Sequence, residues 1–364
     1  MARAKILLVV RNLDVGGMER MIIELVNNLD RDHFEPLLCT IEDAGQLAGG
    51  LTASGTRLIP LHKGPGLSIR CVLKLRRLIK QEKVDLIHTH NETASFYATL
   101  ANRLLLKPRA IIHTKHGRGT PENKKSVIRN RLSSMLTNIV VAVSDDVRTL
   151  CHEIEWVPER KLRTIINGVG LEPYVRASEE RSDRDEFVFG HIGRLSTVKN
   201  QGLLIRAFSL VLKSVPNARL VIVGDGSKHA ELADLVKELN VEAEVELAGY
   251  RADIPEQLSN VDCFVLSSLS EGTPLVAIEA MAAGCPVIST DVGGLRAMIE
   301  DGKTGFLVKS QDQEALAERM TFLAKNRDKC RRMGEKAQHH ALENYSVKDM
   351  ARKYEELYRS FQRG

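Results

Sequence analysis

Residues 267–290 read SSLSEGTPLVAIEAMAAGCPVIST, and the apolar run Val261 to Leu266 leads into them. That run has the length of a buried strand and stops at Ser267–Ser268. A polar loop with Glu271 and Gly272 follows, and Thr273 and Pro274 are placed to open a helix as cap and first-turn residue. The helix carries Glu279 and ends near Gly284, and Pro286-Val-Ile-Ser resumes as a strand. In a doubly wound sheet such a joint lies at the carboxyl end of the strands, where ligands bind. The first amides of the helix, Leu275 and Val276, would face an anion with the help of the helix dipole. Glu271 and Glu279 would then bracket the ligand, and carboxylates are good acceptors for sugar hydroxyls. The plain alternative is a capped amphipathic helix with two solvated glutamates, because this spacing alone is common by chance.

Upstream in the same half, Phe187–Ile192 is a strand running into Gly193-Arg194-Leu195-Ser196 and Lys199, before a helix over 200–214. Arg and Lys five residues apart after a strand make a cationic clamp for a diphosphate, one donating as a fork and the other as a point charge. Ala218–Val223 ends in Gly224-Asp225-Gly226, and Glu244–Ala248 leads to Gly249-Tyr250-Arg251. Beyond the opening stretch come Gly293-Gly294, a strand at 304–308, helices over 312–326 and 328–344, and a last helix from Ser346 to about Phe361.

The first half alternates in the same way. Strands are expected at Lys5–Val10, Glu35–Ile41, Arg57–Leu61, Asp85–His90, Ala110–Thr114, Asn138–Val143 and Lys161–Ile166, with helices over 18–29, 68–82 and 93–106. This alternation predicts parallel sheets with helices on both faces. Gly16-Gly17 opens the first helix and would let a ligand approach the backbone; G-x-G-x-x-G is absent, which argues against NAD. His88, His90, His113 and His116 fall at two strand ends, but H-x-H without a third ligand does not make a metal site. Asp30-x-Asp32 and Asp183-x-Asp185 lie in polar connections and are read as chance. Residues 176–186 are read as a charged linker after the hinge Asn167-Gly168-Val169-Gly170.

At 364 residues the chain suits two domains, and its 43% hydrophobic and 27% charged content is that of a globular protein. There is no apolar run of spanning length and no signal-like N-terminus, and six scattered cysteines read as reduced thiols. These features predict a cytoplasmic protein. Residues 1–168 hold 26 Lys+Arg against 17 Asp+Glu, +9, and the remainder 26 against 30, −4, which together give the chain's +5. The helix at 68–82 and the stretch 103–131 carry much of that basic charge. They are read first as solvated faces, and second as contacts to an anionic bilayer or a phosphate-bearing acceptor. No recognition module accompanies the charge, so nucleic acid is not expected.

Glu271–Gly272–Thr273–Pro274 with Glu279 resembles the E-x7-E element of retaining, nucleotide-sugar-dependent glycosyltransferases of family 4, "glycosyl transferases group 1". Gly193-Arg194 with Lys199, Lys115-His116-Gly117 and the Gly16-Gly17 loop resemble further elements of that family, in the same order along the chain. Gly170 stands where the family usually has Asp after Asn-Gly-Val, which puts the usual turn contact in doubt. The resemblance implies the GT-B fold, two Rossmann-like α/β domains facing each other across a cleft. It implies an acceptor-binding domain over 1–168, with the helix 346–364 crossing back to it, and a nucleotide-sugar domain over 169–345. Arg194 and Lys199 would hold the donor diphosphate together with Gly193 and the 273–276 amides. Glu271 would hold the sugar, Glu279 the ribose and His116 the sugar from the acceptor side, with Gly224 and Arg251 around the nucleotide. The donor is expected to be a UDP-sugar, with a GDP-sugar next, and the acceptor a glycan, a lipid-linked sugar or a small molecule, as in polysaccharide biosynthesis. No cofactor or metal is implied. Two alternatives stay open: a non-hydrolysing nucleotide-sugar epimerase, and an inactive sugar-nucleotide-binding subunit.

Overall fold

The computed structural model describes residues 3–14, 16–117, 131, 133–179 and 185–362, with backbone alone for 52–54 and 177–179. The chain divides into two compact units, one of Met1–Gly168 with Val347–Gly364 and one of Val169–Ser346.

The first unit is a seven-stranded sheet of β1 (Ala4–Val10), β2 (Phe34–Thr40), β3 (Arg57–Pro60), β4 (Leu86–Thr89), β5 (Ala110–Lys115), β6 (Ile139–Ala142) and β7 (Leu162–Thr164). The strands run parallel in the order β3-β2-β1-β4-β5-β6-β7. The central strands are short apolar runs buried along their length, as a sheet covered by helices on both faces requires. Ser68, Asn91 and Ser144 each cap the helix that follows by accepting a backbone N–H three residues on, from Cys71, Ala94 and Val147. The chain leaves β1 toward β2 on one side and returns to β4 on the other. The topological switch point therefore lies between β1 and β4, beside Gly16-Gly17 and the His88-Thr-His90 end of β4.

The helix Val347–Ser360 completes this unit from the far end of the chain. Its Tyr354 and Tyr358 are fully buried, and Phe34 meets Tyr358 edge to face at 5.8 Å. Glu355 accepts the Asp30 N–H at 2.8 Å through Oε1. This contact, with the Asp32 N–H and the His33 ring on the Asp30 carboxylate, gives the Asp30-x-Asp32 segment a structural role.

The second unit is a six-stranded parallel sheet of β8 (Phe187–Ile192), β9 (Ala218–Val223), β10 (Val245–Gly249), β11 (Cys263–Leu266), β12 (Val287–Thr290) and β13 (Gly305–Val308). Its order is β10-β9-β8-β11-β12-β13, so its switch point lies between β8 and β11. The loop after β8 carries Arg194 and Lys199, and the loop after β11 carries Glu271.

Two expected boundaries are corrected. Helix Glu172–Glu179 occupies the first part of the segment read as a linker, because Leu171 and Tyr174 bury beneath it; Asp183 lies outside the described residues. The helix after Glu271 begins at Leu275, with Pro274 rather than Thr273 at its N-cap. Pro274 is extended there and caps with no side-chain bond, and its own missing N–H costs nothing at a helix start. The helix stops at Ala282 with Gly284 in a left-handed conformation (φ +71°). Cys285 N–H then bonds back to the Ala280 carbonyl, closing the end. All six cysteines are buried and none forms a disulfide.

Candidate functional site

At the second switch point, β8 and β11 bring together residues 72 apart in sequence. Lys199 Nζ donates to Glu271 Oε1 at 2.6 Å, and Ser268 Oγ donates to the same oxygen at 2.6 Å. The loops that carry them are laced together. Ser267 Oγ reaches the Lys199 and Asn200 carbonyls at 3.0 Å, and the Leu269 N–H donates to the Val198 carbonyl at 2.8 Å. Asn200 takes the left-handed conformation (φ +50°) needed to turn that loop into helix Gln201–Leu212, a conformation asparagine tolerates. From behind, Thr290 Oγ1 donates to the Ser268 carbonyl at 2.6 Å.

Glycines set how closely these loops pack. Gly293 has φ +56°, and a Cβ there would stand 1.8 Å from the Glu271 carbonyl oxygen. Its neighbour Gly294 donates its N–H to the Gly272 carbonyl. Gly224, at φ +141°, would likewise push a Cβ to 2.0 Å from the Gly193 carbonyl. Both positions require glycine, so Gly293-Gly294 fixes the Glu271 loop and Gly224 the Gly193-Arg194 loop.

Lys199 is therefore paired with Glu271, so the phosphate clamp and the sugar-holding carboxylate expected from sequence form one ion pair. Its side chains are 22% and 8% exposed, and such a pair is held by its hydrogen bonds as much as by charge. Arg194 is exposed, and its carbonyl accepts from Gln201 Nε2, which also reaches His191. Thr273 is buried. Leu275 and Val276 are the first residues of the helix, whose preceding turn offers their amides no carbonyl. Glu279 is fully buried within that helix. Arg251 donates through Nε and Nη2 to both Asp253 oxygens, at 2.9 and 2.7 Å, which holds the Asp253 carboxyl well below its usual range.

At the first switch point the chemistry is neutral. His88 is bonded at Nδ1 to Tyr358 at 2.7 Å and at Nε2 to Thr114 at 2.8 Å, and Thr114 meets Tyr354 at 3.0 Å. His90 lies tilted against His88 with ring centroids 4.0 Å apart, and its Nδ1 lies 3.1 Å from His116 Nε2. His113 Nδ1 bonds Thr89 Oγ1 at 2.9 Å. Burial keeps all four rings neutral. His113 and His116 are pushed down to about 3, the first also by the Lys115 charge and the second by His113, and His88 and His90 are driven well below the usual range. Lys115 is itself buried and paired with Glu155. His90 Nε2 and His116 Nδ1 are buried without a hydrogen-bond partner among the described residues. Because one ring nitrogen of each donates or accepts in the His90–His116 bond, only one of those two outer nitrogens carries a proton at a time. Gly17 begins its helix with open space where a Cβ would stand, so its surroundings do not demand glycine.

The sequence marked Ser268 only as a strand end and His90 only as an insufficient metal ligand, and gave the tyrosines of the last helix no role. The doublet Ser267–Ser268 and the H-x-H at a strand end were the only signals, and both depend on partners distant in sequence. Among the described residues, no three or more His, Cys, Asp or Glu side chains are grouped to hold a metal ion. No helix among them is long and apolar enough to cross a membrane.

The comparisons match both units. The profile "Glycosyl transferases group 1" covers residues 176–340 and "Glycosyltransferase Family 4" residues 15–173. The chain is 27% identical to an Escherichia coli UDP-Gal:alpha-D-GlcNAc-diphosphoundecaprenol alpha-1,3-galactosyltransferase, over 82% of each chain. It is 28% identical to the N-acetyl-alpha-D-glucosaminyl L-malate synthase of Bacillus anthracis, over 81% of this chain and 79% of that one. In fold it is similar to Anabaena HepE in complex with UDP, with a TM-score of 0.86 at 24% identity over 98% of this chain and 100% of the other. One profile fits the sheet with the histidines and the other the sheet with the ion pair, and the chain belongs to the group 1 glycosyltransferases of GT-B fold.

Proposed function

We propose that the chain transfers a hexosyl group from a UDP-sugar held by its second unit to an acceptor held by its first, with retention of the donor's anomeric configuration. The Lys199–Glu271–Ser268 cluster at the β8/β11 switch point, four residues ahead of the Leu275–Ala282 helix, carries this reading. A diphosphate at that helix start would take the amides of Leu275 and Val276, with the Lys199 ammonium and the Arg194 guanidinium as counter-charges. Charge that develops on the leaving diphosphate would be met by groups already in place, the contribution that usually dominates such chemistry. As Lys199 turns toward phosphate, the Glu271 carboxylate is released to accept sugar hydroxyls, and Ser268 keeps it oriented. Glu279 would take the ribose diol, and His116 would present one nitrogen to a donor-sugar hydroxyl.

Retention follows if the diphosphate, strongly stabilised, leaves early and accepts the acceptor's proton on the same face. Support for a uridine donor comes from the E. coli relative, named for UDP-Gal, and from HepE, crystallised with UDP. Support for the acceptor's place comes from the basic first half, which suits a phosphate-bearing or glycan acceptor.

A thermal-shift panel of UDP, GDP, UDP-hexoses and GDP-hexoses tests the reading, because ligands bound only to the native state raise its stability. UDP should raise the melting temperature and one UDP-hexose should raise it further. No response to any uridine nucleotide would sink the proposal. With donor and acceptor in hand, proton NMR of the product decides the stereochemistry, and a β-linkage from an α-linked donor rules out retention. Interconversion of the donor with no acceptor present would identify an epimerase instead.

A further inference from the structure

The helix Ile69–Gln81 turns Cys71, Val72, Leu75, Leu78 and Ile79 into the core of the first unit and lies beside helix Glu92–Arg103. The Arg76 guanidinium ties the two, its Nε donating to the Leu104 carbonyl at 2.9 Å. The apolar residues of this helix divide into two sets. Ile69 and Leu73, one helical turn apart, leave the core and face outward. Leu67 is 86% exposed and Ile69 79%, Leu73 and Leu104 are each more than half exposed, and Leu106 is fully exposed. A solvated helix carries polar residues at such positions. Nor is Leu67 a frayed end. The Ser68 N–H donates to the buried Tyr97 hydroxyl at 3.1 Å, and Ser68 Oγ caps the helix by accepting from Cys71.

Residues 67–81 and 93–109 contain eight Lys and Arg and not one Asp or Glu. The charge along these two segments is of one sign, with Glu82 and Glu92 just outside them. Arg70, Lys74, Arg77, Lys80, Arg103 and Lys107 are exposed among the aliphatic tips. Aliphatic side chains standing among unopposed cations match a partner with anions at its surface and hydrocarbon just beneath. A second copy of this face would set cation against cation, and a wholly polyanionic partner would leave the leucines in water.

We propose that this face docks on an anionic lipid bilayer, with Leu67, Ile69, Leu73 and Leu106 entering the headgroup region and the Lys and Arg side chains meeting lipid phosphates. Nothing in this depends on sugar transfer, so the two proposals stand or fall separately.

Vesicle flotation of the full chain tests it, with phosphatidylcholine vesicles compared against the same vesicles containing phosphatidylglycerol. The protein should float with the anionic vesicles and not with the neutral ones, and added salt should weaken the binding. The double variant Leu73→Glu, Leu106→Glu should bind at least ~10-fold more weakly, given the apolar burial that two leucines forfeit. Both side chains are exposed, so its melting curve should match the parent's and separate lost docking from lost folding. Failure of the parent to float with anionic vesicles, or equal flotation of the double variant, overturns the proposal. Sedimentation velocity covers the remaining occupant: a dimer that the same double variant dissolves would assign the face to a second copy.

Discussion

The two switch points occupy the same place in two sheets of the same design and hold opposite chemistry. Between β8 and β11 stands an ion pair, Lys199 with Glu271, on loops that reach partly into solvent. Between β1 and β4 stand buried neutral histidines, closed from behind by two tyrosines from the last helix. A largely buried charged pair can exchange one partner only for a ligand that brings a replacing charge, as a phosphate does, with Lys199 still reaching solvent. A closed neutral network cannot; any hydroxyl or nitrogen it loses stays buried and unpaired. Topology thus fixes where a site lies, and the depth of its polar groups decides whether it is adaptable or rigid.

The largest test of that contrast removes residues 347–364. The first unit would lose Tyr354 and Tyr358, and truncating a buried aromatic costs about 3–5 kcal/mol where whole-domain stability is about 5–15. Hydrogen exchange read by peptide should show β1 and β4 unprotected while β8 and β11 keep their protection. Equal protection in both sheets would show that the histidine network stands without its tyrosines.

Acid is the next lever. The unfolded chain's histidines protonate near the ordinary value of about 6.5, whereas the folded His88, His90, His113 and His116 resist protonation down to about 3 for the last two and well below the usual range for the others. Between those limits the unfolded state binds more protons. Stability is therefore full above about pH 6.5 and falls as the pH drops through that window, by about 1 kcal/mol per pH unit for each histidine kept neutral. The second unit has one such buried histidine, His191, held at about 4. Exchange at pH 5.5 against 7.5 should therefore loosen the first sheet several-fold more than the second. Parallel loosening of both would break the contrast.

Within the charged site the expected effects are smaller and opposite in sign. Lys199→Ala should weaken UDP binding by about 1.5–3 kcal/mol, the usual loss for a charge-assisted contact, as titration calorimetry would measure. Glu271→Gln should lower turnover and leave free UDP binding equal or slightly tighter, because it removes the group that competes for Lys199. If the glutamine variant lost UDP affinity as the alanine variant does, Glu271 would belong to the nucleotide's site and not the sugar's. The smallest expected effect is none. EDTA should leave turnover unchanged, because Lys199, Arg194 and the helix amides supply the positive charge in this proposal; abolition by EDTA with rescue by Mn²⁺ would overturn that.

What the sequence made legible was local. The runs at Lys5–Val10 and Val261–Leu266 have strand length and end in turn residues, so their strands follow from composition and spacing. The helix from Leu275 was visible for the same reason, although its N-cap fell one residue later than expected, since proline fixed the entry. Long-range pairings were not visible. Nothing local to Arg194 or Lys199 shows that the lysine turns to Glu271, and nothing local to His88 shows a hydroxyl arriving from Tyr358, 270 residues on. The helix at 69–81 shows the limit from the other side. Its apolar residues follow a helical period, but period alone does not say that Ile69 and Leu73 lie outside while Val72 and Leu75 lie within.

The first sheet is finished by the last helix, and this sets an order in time. A ribosome delivers β1 to β7 early, but the hydroxyls that satisfy His88 and Thr114 lie on Tyr358 and Tyr354, which emerge only after the whole of Val169–Ser346. The contiguous second unit can close as soon as it clears the exit tunnel, since domains fold as units during synthesis. The first must wait with His88 Nδ1 and the Thr114 hydroxyl each short of a tyrosine partner, so the sheet that is made first is the last to be completed. A protein truncated after Ser346 would hold the first sheet in that unfinished state.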